Sequence, residues 1–277
     1  MIEMSRRTVE AVPPSTAEMH FPTSHRLLDP GDPHPVEIVN EHGAGGVLLT
    51  CEHAGRAVPR RLGDLGVAPA DWERHIAWDI GAADLARLLS RTLDAPLVLQ
   101  RYSRLVIDCN RPLDAPDCIP EISDGTSIPA NRGLSLEARA QRYAEIHMPL
   151  HQAIDGMLNR PGPAALVSVH SFTPVFAGQA RPMQAALLFN RDARLAHALH
   201  RELASRRPDL PIALNAPYSV DDISDFTIPR HGEARGIPHV LLELRNDQLA
   251  KAADREAWAD LLAGCITASV RHLAEAA

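Results

Sequence analysis

The chain has 277 residues, of which 45% are apolar, and its formal net charge is −7. This length is sufficient for one large α/β domain or two smaller ones. The acidic balance and the lack of a basic cluster argue against a nucleic-acid-binding surface. No apolar run approaches the roughly 20 residues that a membrane-spanning helix needs, and no apolar segment follows the N-terminal arginines as in a secretory signal. We therefore expect a cytoplasmic protein that binds small molecules rather than nucleic acid or membranes.

The use of cysteine and lysine excludes several kinds of chemistry. Cys51, Cys109, Cys118 and Cys265 show no CxxC spacing, so neither a thiolate zinc site nor a disulfide framework is indicated. Lys251 is the only lysine and lies outside every motif, which leaves none for Schiff-base chemistry or a Walker-type phosphate loop. Arginine must supply the cationic contacts, and its planar fork suits substrates that carry carboxylate groups.

Taken in chain order, the sequence predicts a loosely ordered lead-in over residues 1–35 and a single α/β domain over 36–277. Short apolar runs bounded by Gly, Pro and Asn predict strands, the first a short edge strand, at 36–39, 47–51, 96–100, 105–108, 165–170, 185–190, 212–215 and 239–245. Leucines at helical spacing predict helices at 81–93, 192–206 and 254–276. Strands that alternate with helices predict a three-layer α/β/α sandwich with a mixed, mostly parallel central sheet.

Two of the predicted strands end in histidine, His53 in "TCEHAG" and His170 in "SVHSFTP". The carboxyl ends of parallel strands meet at one edge of a sheet, where α/β proteins bind their ligands. Two histidines and one carboxylate at that edge would form a zinc site with an open fourth position for water. Asp79 in "HIAWDIGA" is the first candidate for the carboxylate, although it could instead cap a helix, and Glu52 is the alternative.

Glu243 interrupts the apolar run "VLLEL" near the end of the last predicted strand. A carboxylate in a buried strand is unfavourable unless it is paired or functional. The sequence therefore predicts one of two roles for Glu243. It either forms an ion pair with an arginine such as Arg245, or it is a general base that takes a proton from water at the metal.

Several cationic and amide side chains are candidates for substrate contacts. Arg104 precedes the predicted strand in "SRLVIDCNRP", where it could polarise a scissile carbonyl, and Asn110 and Arg111 follow that strand, where they could bind a substrate carboxylate. The two arginines could instead be partners in surface salt bridges. Arg230 and His231 in "IPRHGEARG" are candidates for contact with a second carboxylate, or they form a surface pair.

The strings "LLTCEHAG", "HIAWDIGA", "SRLVIDCNRP", "VSVHSFTP" and "GIPHVLLELRND", in this order over most of residues 45–250, resemble the N-formylglutamate amidohydrolase family. The resemblance implies a zinc-dependent hydrolase of the carboxypeptidase-like α/β/α fold. It places His53 and His170 on zinc, Asn110 and Arg111 at the substrate carboxylate, and Glu243 in the role of the base.

The resemblance also implies the reaction, which is hydrolysis of an N-acyl acidic amino acid at one zinc ion per chain. N-formyl-L-glutamate, which would give formate and glutamate, is the first candidate substrate. The sequence departs from the related aspartoacylases, which take two ligands from an HxxE motif, because Arg56 stands three residues after His53. The alternatives are another zinc deacylase or carboxypeptidase-type amidase, and a non-catalytic protein that binds an acidic metabolite.

Overall fold

The computed structural model describes residues 26–276, so most of the lead-in predicted over 1–35 lies outside the described residues. The described part of this segment is attached to the domain. The backbone N–H groups of Leu27 and Leu28 donate hydrogen bonds to the carboxylate of Glu145 at 2.7 and 3.0 Å, and the Tyr102 hydroxyl donates to the Pro33 carbonyl at 2.8 Å. Among the helices of these residues, none is long and apolar enough to cross a bilayer.

The secondary structure follows the predicted alternation of strands and helices. The strands are β1 (Val36–Val39), β2 (Val47–Cys51), β3 (Leu97–Gln100), β4 (Ile122–Ser123), β5 (Thr126–Ser127), β6 (Ala165–Phe172), β7 (Val175–Phe176), β8 (Gln179–Ala180), β9 (Ala185–Leu188), β10 (Ile212–Leu214) and β11 (His239–Arg245). The α-helices are α1 (Ala82–Thr92), α2 (Leu136–Arg142), α3 (Met148–Leu158), α4 (Arg194–Arg206) and α5 (Ala252–Glu275).

A seven-stranded sheet in the order β1-β3-β2-β6-β11-β9-β10 forms the centre of the fold. Strands β3, β2, β6 and β11 are mutually parallel. Strand β1 pairs antiparallel with β3, and β9 pairs antiparallel with β11 and parallel with β10. The sheet is therefore mixed and mostly parallel, as predicted. The carboxyl ends of β2, β6 and β11 lie side by side at one edge.

Helices and long connections cover the two faces of this sheet and complete the three layers. Helices α1, α4 and α5 pack on one face, where Leu85, Leu199 and Leu262 join the alternate strand residue Val167 in a buried apolar cluster. Helix α3 and the connections that follow β2 and β3 pack on the other face. The intervening strand residues point to this second face, because side chains alternate along a strand. Ser168 and His170 of β6 belong to that second set.

The structure corrects the prediction at two places. Residues 105–108 form a turn rather than a strand. The apolar run there reflects burial of the turn, because Leu105, Val106 and Ile107 are fully enclosed in the second core cluster. The structure also contains α2 and α3, which were not predicted from the sequence. Helix α1 begins at Ala82, and Asp79 lies in the turn before it without capping it through its side chain.

Candidate active site

A cleft of about 470 Å³ opens at the edge of the sheet where β2, β6 and β11 end. Most of the side chains singled out in the sequence line this cleft, namely His53, Asp79, Arg104, Asn110, Arg111, His170 and Glu243. They come from strand ends and from the connections that pack on the second face. His53, His170 and Glu243 lie together at this edge, in or directly after parallel strands.

Three of these side chains form a compact donor set. His53 follows the end of β2, His170 lies within β6, and Asp79 precedes α1. The backbone N–H of Asp79 donates to the His53 carbonyl at 2.9 Å, which fixes the two segments together. Asp79 Oδ2 lies 2.9 Å from His170 Nδ1 and 3.5 Å from His53 Nδ1. One ligand atom from each residue lies within 4.8 Å of the others, so this set can hold a metal ion.

The opposite nitrogen of each imidazole is bonded to a different carboxylate. His53 Nε2 donates to Asp108 Oδ1 at 2.7 Å, and His170 Nε2 donates to Glu52 Oε2 at 2.8 Å. These bonds orient the two rings so that both Nδ1 atoms face Asp79, an arrangement that is typical of metal-binding histidines. Buried His53 Nδ1 has no hydrogen-bond partner among residues 26–276. The Nδ1 atoms of both rings thus face Asp79 rather than Glu52.

The electrostatics of the cluster favour charged carboxylates. Burial raises the pKa of Asp79, Asp108 and Glu52, but neighbouring cationic groups and hydrogen bonds outweigh burial and hold each pKa below its usual range. For Asp108 the opposing groups are Arg104 and His53. Burial lowers the pKa of His170, and its bonds to Asp79 and Glu52 raise that pKa well above the ordinary value. These ionised carboxylates favour the binding of a cation at the site.

Cys51 precedes these residues directly but does not belong to the donor set. It lies in the apolar cluster on the opposite face of the sheet, with Leu49 and Val167. Burial raises the pKa of its thiol well above the usual value, which disfavours the thiolate that a metal would bind. The alternation of side chains along β2 therefore separates Cys51 from Glu52, as the strand pattern predicts.

Glu243 lies beside the donor set because β11 pairs with β6 in a register that places Glu243 opposite His170. Its carboxylate is buried, and Oε2 has no hydrogen-bond partner within the described chain. Burial raises the pKa of Glu243 to about 7. Arg245 bonds instead to Asp247 at 2.8 Å, and no ion pair to Glu243 is formed by the described residues. The alternative of a structural ion pair is therefore wrong.

Arg104 connects the donor set to the wall of the cleft. Its Nη2 atom lies 2.6 Å from Asp108 Oδ2, and its Nη1 atom lies 3.6 Å from Asp79 Oδ1. The side chain is 27% exposed and borders the cleft, so the guanidinium is fixed while one side remains accessible to a ligand. A salt-bridge partner and a substrate contact are compatible roles for this residue.

Asn110 and Arg111 also border the cleft, next to a carboxylate that the sequence did not single out. Asn110 Nδ2 and Arg111 Nη1 each lie 3.2 Å from Asp225 Oδ1. Asn110 Oδ1 accepts a hydrogen bond from the Thr227 N–H at 3.0 Å, and Arg111 Nε donates to Asp117 at 2.9 Å. Both predicted substrate contacts are thus present at the cleft and already bonded to protein groups.

The remaining pair of predicted substrate contacts lies elsewhere. His231 is fully buried, and its ring bonds to His151 at 2.9 Å and to Asp155 at 3.1 Å. Arg230 points to the same Asp155 at 3.6 Å. Neither residue lines the cleft. The expectation that they contact a second substrate carboxylate is corrected, because the helical turn that carries them packs against α3 instead of facing the site.

The structure adds supporting residues that the sequence analysis did not assign. His147 and His151 bond through Nε2 to the carbonyl oxygens of Arg111 and Cys109, at 2.9 and 2.8 Å. They hold the turn that presents Asp108 to the site. The spacing of four residues in "HMPLHQ" places both rings on one helix face and could have drawn attention to them. Asp225 gave no such signal, since it lies in a polar connection without periodicity.

Comparison with known proteins places this site in a family. Residues 45–250 match the family described as N-formylglutamate amidohydrolase. The chain belongs to this family. It is therefore an amidohydrolase, and the ordered strings found in the sequence are the segments that form the cleft. No curated protein sequence matches the chain.

The solved structures that resemble the fold include the following two. A gene product from Agrobacterium tumefaciens superposes with a TM-score of 0.84 at 33% sequence identity, over 90% of this chain and 99% of that chain. N-formylglutamate amidohydrolase from Ralstonia eutropha superposes with a TM-score of 0.62 at 17% identity, over 88% of this chain and 100% of that chain. The second likeness supports the α/β fold alone, because the identity is low.

Proposed function

We propose that this amidohydrolase holds one zinc ion on His53, Asp79 and His170 and hydrolyses the amide of an N-acyl acidic amino acid. N-formyl-L-glutamate is the first candidate substrate. The observation that carries the proposal is the unpaired carboxylate of Glu243 beside a set of two imidazoles and one carboxylate. Two nitrogens and one oxygen are donors that zinc accepts, and three protein ligands leave a position open.

The hydrogen bonds of the donor set leave it able to bind such an ion. Both Nε2 atoms are bonded to the carboxylates of Asp108 and Glu52, so the Nδ1 atoms remain for coordination. The buried Nδ1 of His53 has no other partner in the described chain, a position that a cation would satisfy. A zinc ion held there would act as a Lewis acid toward the amide carbonyl and would lower the pKa of the attacking water.

Glu243 supplies the proton transfers in this proposal. Its Oε2 atom accepts the proton of the attacking water and then delivers it to the nitrogen of the leaving amine, which separates formate from glutamate. A general base works best when its pKa lies near the working pH. Burial raises the pKa of Glu243 to about 7, which suits proton exchange in both directions at neutral pH.

The cationic groups supply binding and charge stabilisation. Arg104 donates to the carbonyl oxygen as negative charge develops there, and its ion pair with Asp108 keeps the guanidinium in place. Asn110 and Arg111 bind a substrate carboxylate, for which an amide N–H and a guanidinium are suitable donors.

Metal analysis combined with an assay for formate tests the proposal. The purified protein should contain about one zinc ion per chain and release formate from N-formyl-L-glutamate, and a chelator should abolish that release. His170→Ala should lose the metal, whereas the matched control His197→Ala, at an exposed position of α4, should keep metal and activity. Release of acetate from N-acetyl-L-glutamate alone would identify a different deacylase. Bound metal without hydrolysis of either compound would favour the non-catalytic alternative.

A further inference from the structure

We infer that Asp225 determines substrate specificity by occupying the position of a substrate carboxylate. The side-chain donors Asn110 Nδ2 and Arg111 Nη1 form what we term the anion slot. A carboxylate of the substrate enters the anion slot only in exchange for the carboxylate of Asp225. This inference rests on the proposed function, because it concerns the part of the cleft that binds the acidic substrate.

The geometry shows that the anion slot is a site for a carboxylate oxygen. Both donors converge on the same atom, Asp225 Oδ1, at 3.2 Å. All three residues line the cleft, and the Asp225 side chain is 12% exposed. An amide and a guanidinium that share one oxygen would bind a substrate carboxylate equally well. The protein thus places its own carboxylate where the substrate is expected.

The bonds of Asp225 are weak enough for exchange. Charge-assisted hydrogen bonds are typically about 2.7 to 2.9 Å long, whereas both contacts in the anion slot are 3.2 Å. The other carboxylate oxygen accepts a single bond from the Asp221 N–H, also at 3.2 Å. Burial raises the pKa of Asp225 despite the nearby Arg111. The carboxylate is incompletely compensated, which favours its exchange for a substrate carboxylate.

The connection that carries Asp225 contains a turn that Asp221 closes with its own side chain. Asp221 Oδ1 accepts hydrogen bonds from the N–H groups of Ile223 and Ser224 at 2.8 and 2.6 Å. These bonds close the turn locally and involve neither Asn110 nor Arg111. Removal of the Asp225 charge should therefore weaken its hold on the anion slot without unfolding the turn.

Arg111 has a second carboxylate partner, which offers a matched control. Its Nε atom donates to Asp117 at 2.9 Å, and the Asp117 side chain is 56% exposed and lies outside the cleft. Asp117 contacts the guanidinium outside the cleft, whereas Asp225 contacts it within the cleft. Substitution of Asp117 changes the charge beside Arg111 without changing which group occupies the anion slot. It therefore serves as a control for substitution of Asp225.

The distribution of charge in the cleft makes competition between Asp225 and a substrate carboxylate important for substrate choice. Of the described residues that line the cleft, the arginines are Arg104 and Arg111, and Arg104 is paired with Asp108 and Asp79. A substrate with two carboxylates therefore meets an arginine that is already neutralised unless Asp225 gives way. Asp225 reduces the advantage of an acidic substrate over its amide, and its removal should restore that advantage.

Three substrates measured on the zinc-loaded protein test this inference. They are N-formyl-L-glutamate and its two single amides, N-formyl-L-glutamine and N-formyl-L-isoglutamine. In Asp225→Asn, KM should fall about tenfold for the substrates that retain the carboxylate bound in the anion slot and stay unchanged for the amide that lacks it, with kcat altered less than twofold. Asp117→Asn should change none of these values more than twofold.

A binding measurement separates failure of the inference from failure of the proposed function. Calorimetry with glutarate, which has two carboxylates and no amide to hydrolyse, should show about tenfold tighter binding to Asp225→Asn than to the unmodified protein or to Asp117→Asn. Equal affinity for glutarate, or KM values that fall alike for all three substrates, would overturn the role of Asp225. Tighter glutarate binding without hydrolysis of any formyl compound would refute the proposed function and retain the anion slot.

Discussion

Glu243→Gln is the substitution that separates proton transfer from structure most cleanly. The amide keeps the shape of the side chain but cannot accept the proton of the attacking water. General acid–base catalysis typically contributes a factor of about 100 to 10,000, so we expect kcat to fall by that range while the bound zinc is retained. The surface substitution Glu202→Gln on α4 should leave kcat unchanged and serves as the matched control.

Glu243→Gln should change the free energy of unfolding in the opposite direction from the loss of a buried ion pair. In the metal-free protein, burial raises the pKa of Glu243 from 4.5 to about 7, which corresponds to about 3 kcal/mol of destabilisation once the carboxyl is ionised. The stability that protonated Glu243 gives is complete below pH 4.5 and is lost as the pH rises through about 7. Glutamine removes this loss at pH 8, but an unpartnered buried amide costs about 1 to 3 kcal/mol.

The two contributions leave a net change between zero and about 2 kcal/mol in favour of Glu243→Gln at pH 8. At roughly 2 to 4 °C per kcal/mol for a domain of this size, Tm should stay constant or rise by a few degrees. Thermal unfolding and kcat are measured on the same preparations, with metal removed for the unfolding series. A variant that melts several degrees lower and keeps its kcat would refute the assignment of Glu243 as the base.

Three further substitutions probe the remaining parts of the site. Glu52→Gln keeps a bond to His170 Nε2 but loses the charge, so zinc affinity measured against a competing chelator should fall about 10- to 100-fold. An unchanged affinity would mean that this bond does not support His170 as a zinc ligand. Arg111→Lys should raise KM about tenfold with kcat retained, because an ammonium cannot reproduce the directed guanidinium contacts; equal kinetics would place the substrate elsewhere. His151→Phe removes the bond to the Cys109 carbonyl, so it should reduce unfolding stability by about 1 to 3 kcal/mol, and a variant as stable as the parent would contradict this role.

The parts of the fold that the sequence predicts well are those in which burial and periodicity agree. The strand of residues 239–245 and the sheet strand that holds His170 have apolar residues on both faces, so a single polar residue among them is conspicuous. Their positions at neighbouring carboxyl ends then follow from the parallel arrangement. This explains why His53, His170 and Glu243 could be grouped without a structure.

The residues that sequence reasoning misplaced or missed depend on contacts across connections. The apolar run 105–108 is buried in a turn, and periodicity alone does not distinguish a short buried turn from a strand. Arg230 and His231 lie on a turn whose orientation is set by packing against α3, which no local pattern reveals. Asp225 reaches the cleft through a polar loop, and its partner Asn110 is distant in the chain.

The charge balance of the buried cluster explains why these residues require one another. The carboxylates of Glu52, Asp79 and Asp108 are all buried and held below their usual pKa. The only permanent cation that contacts the donor set among the described residues is Arg104. Buried charges are tolerated when they are paired or bound to a metal. A divalent cation together with Arg104 would balance the three carboxylates while the imidazoles stay neutral. Glu243 would then lie at the edge of a neutral cluster, so its own uptake or release of a proton would set the net charge of the site.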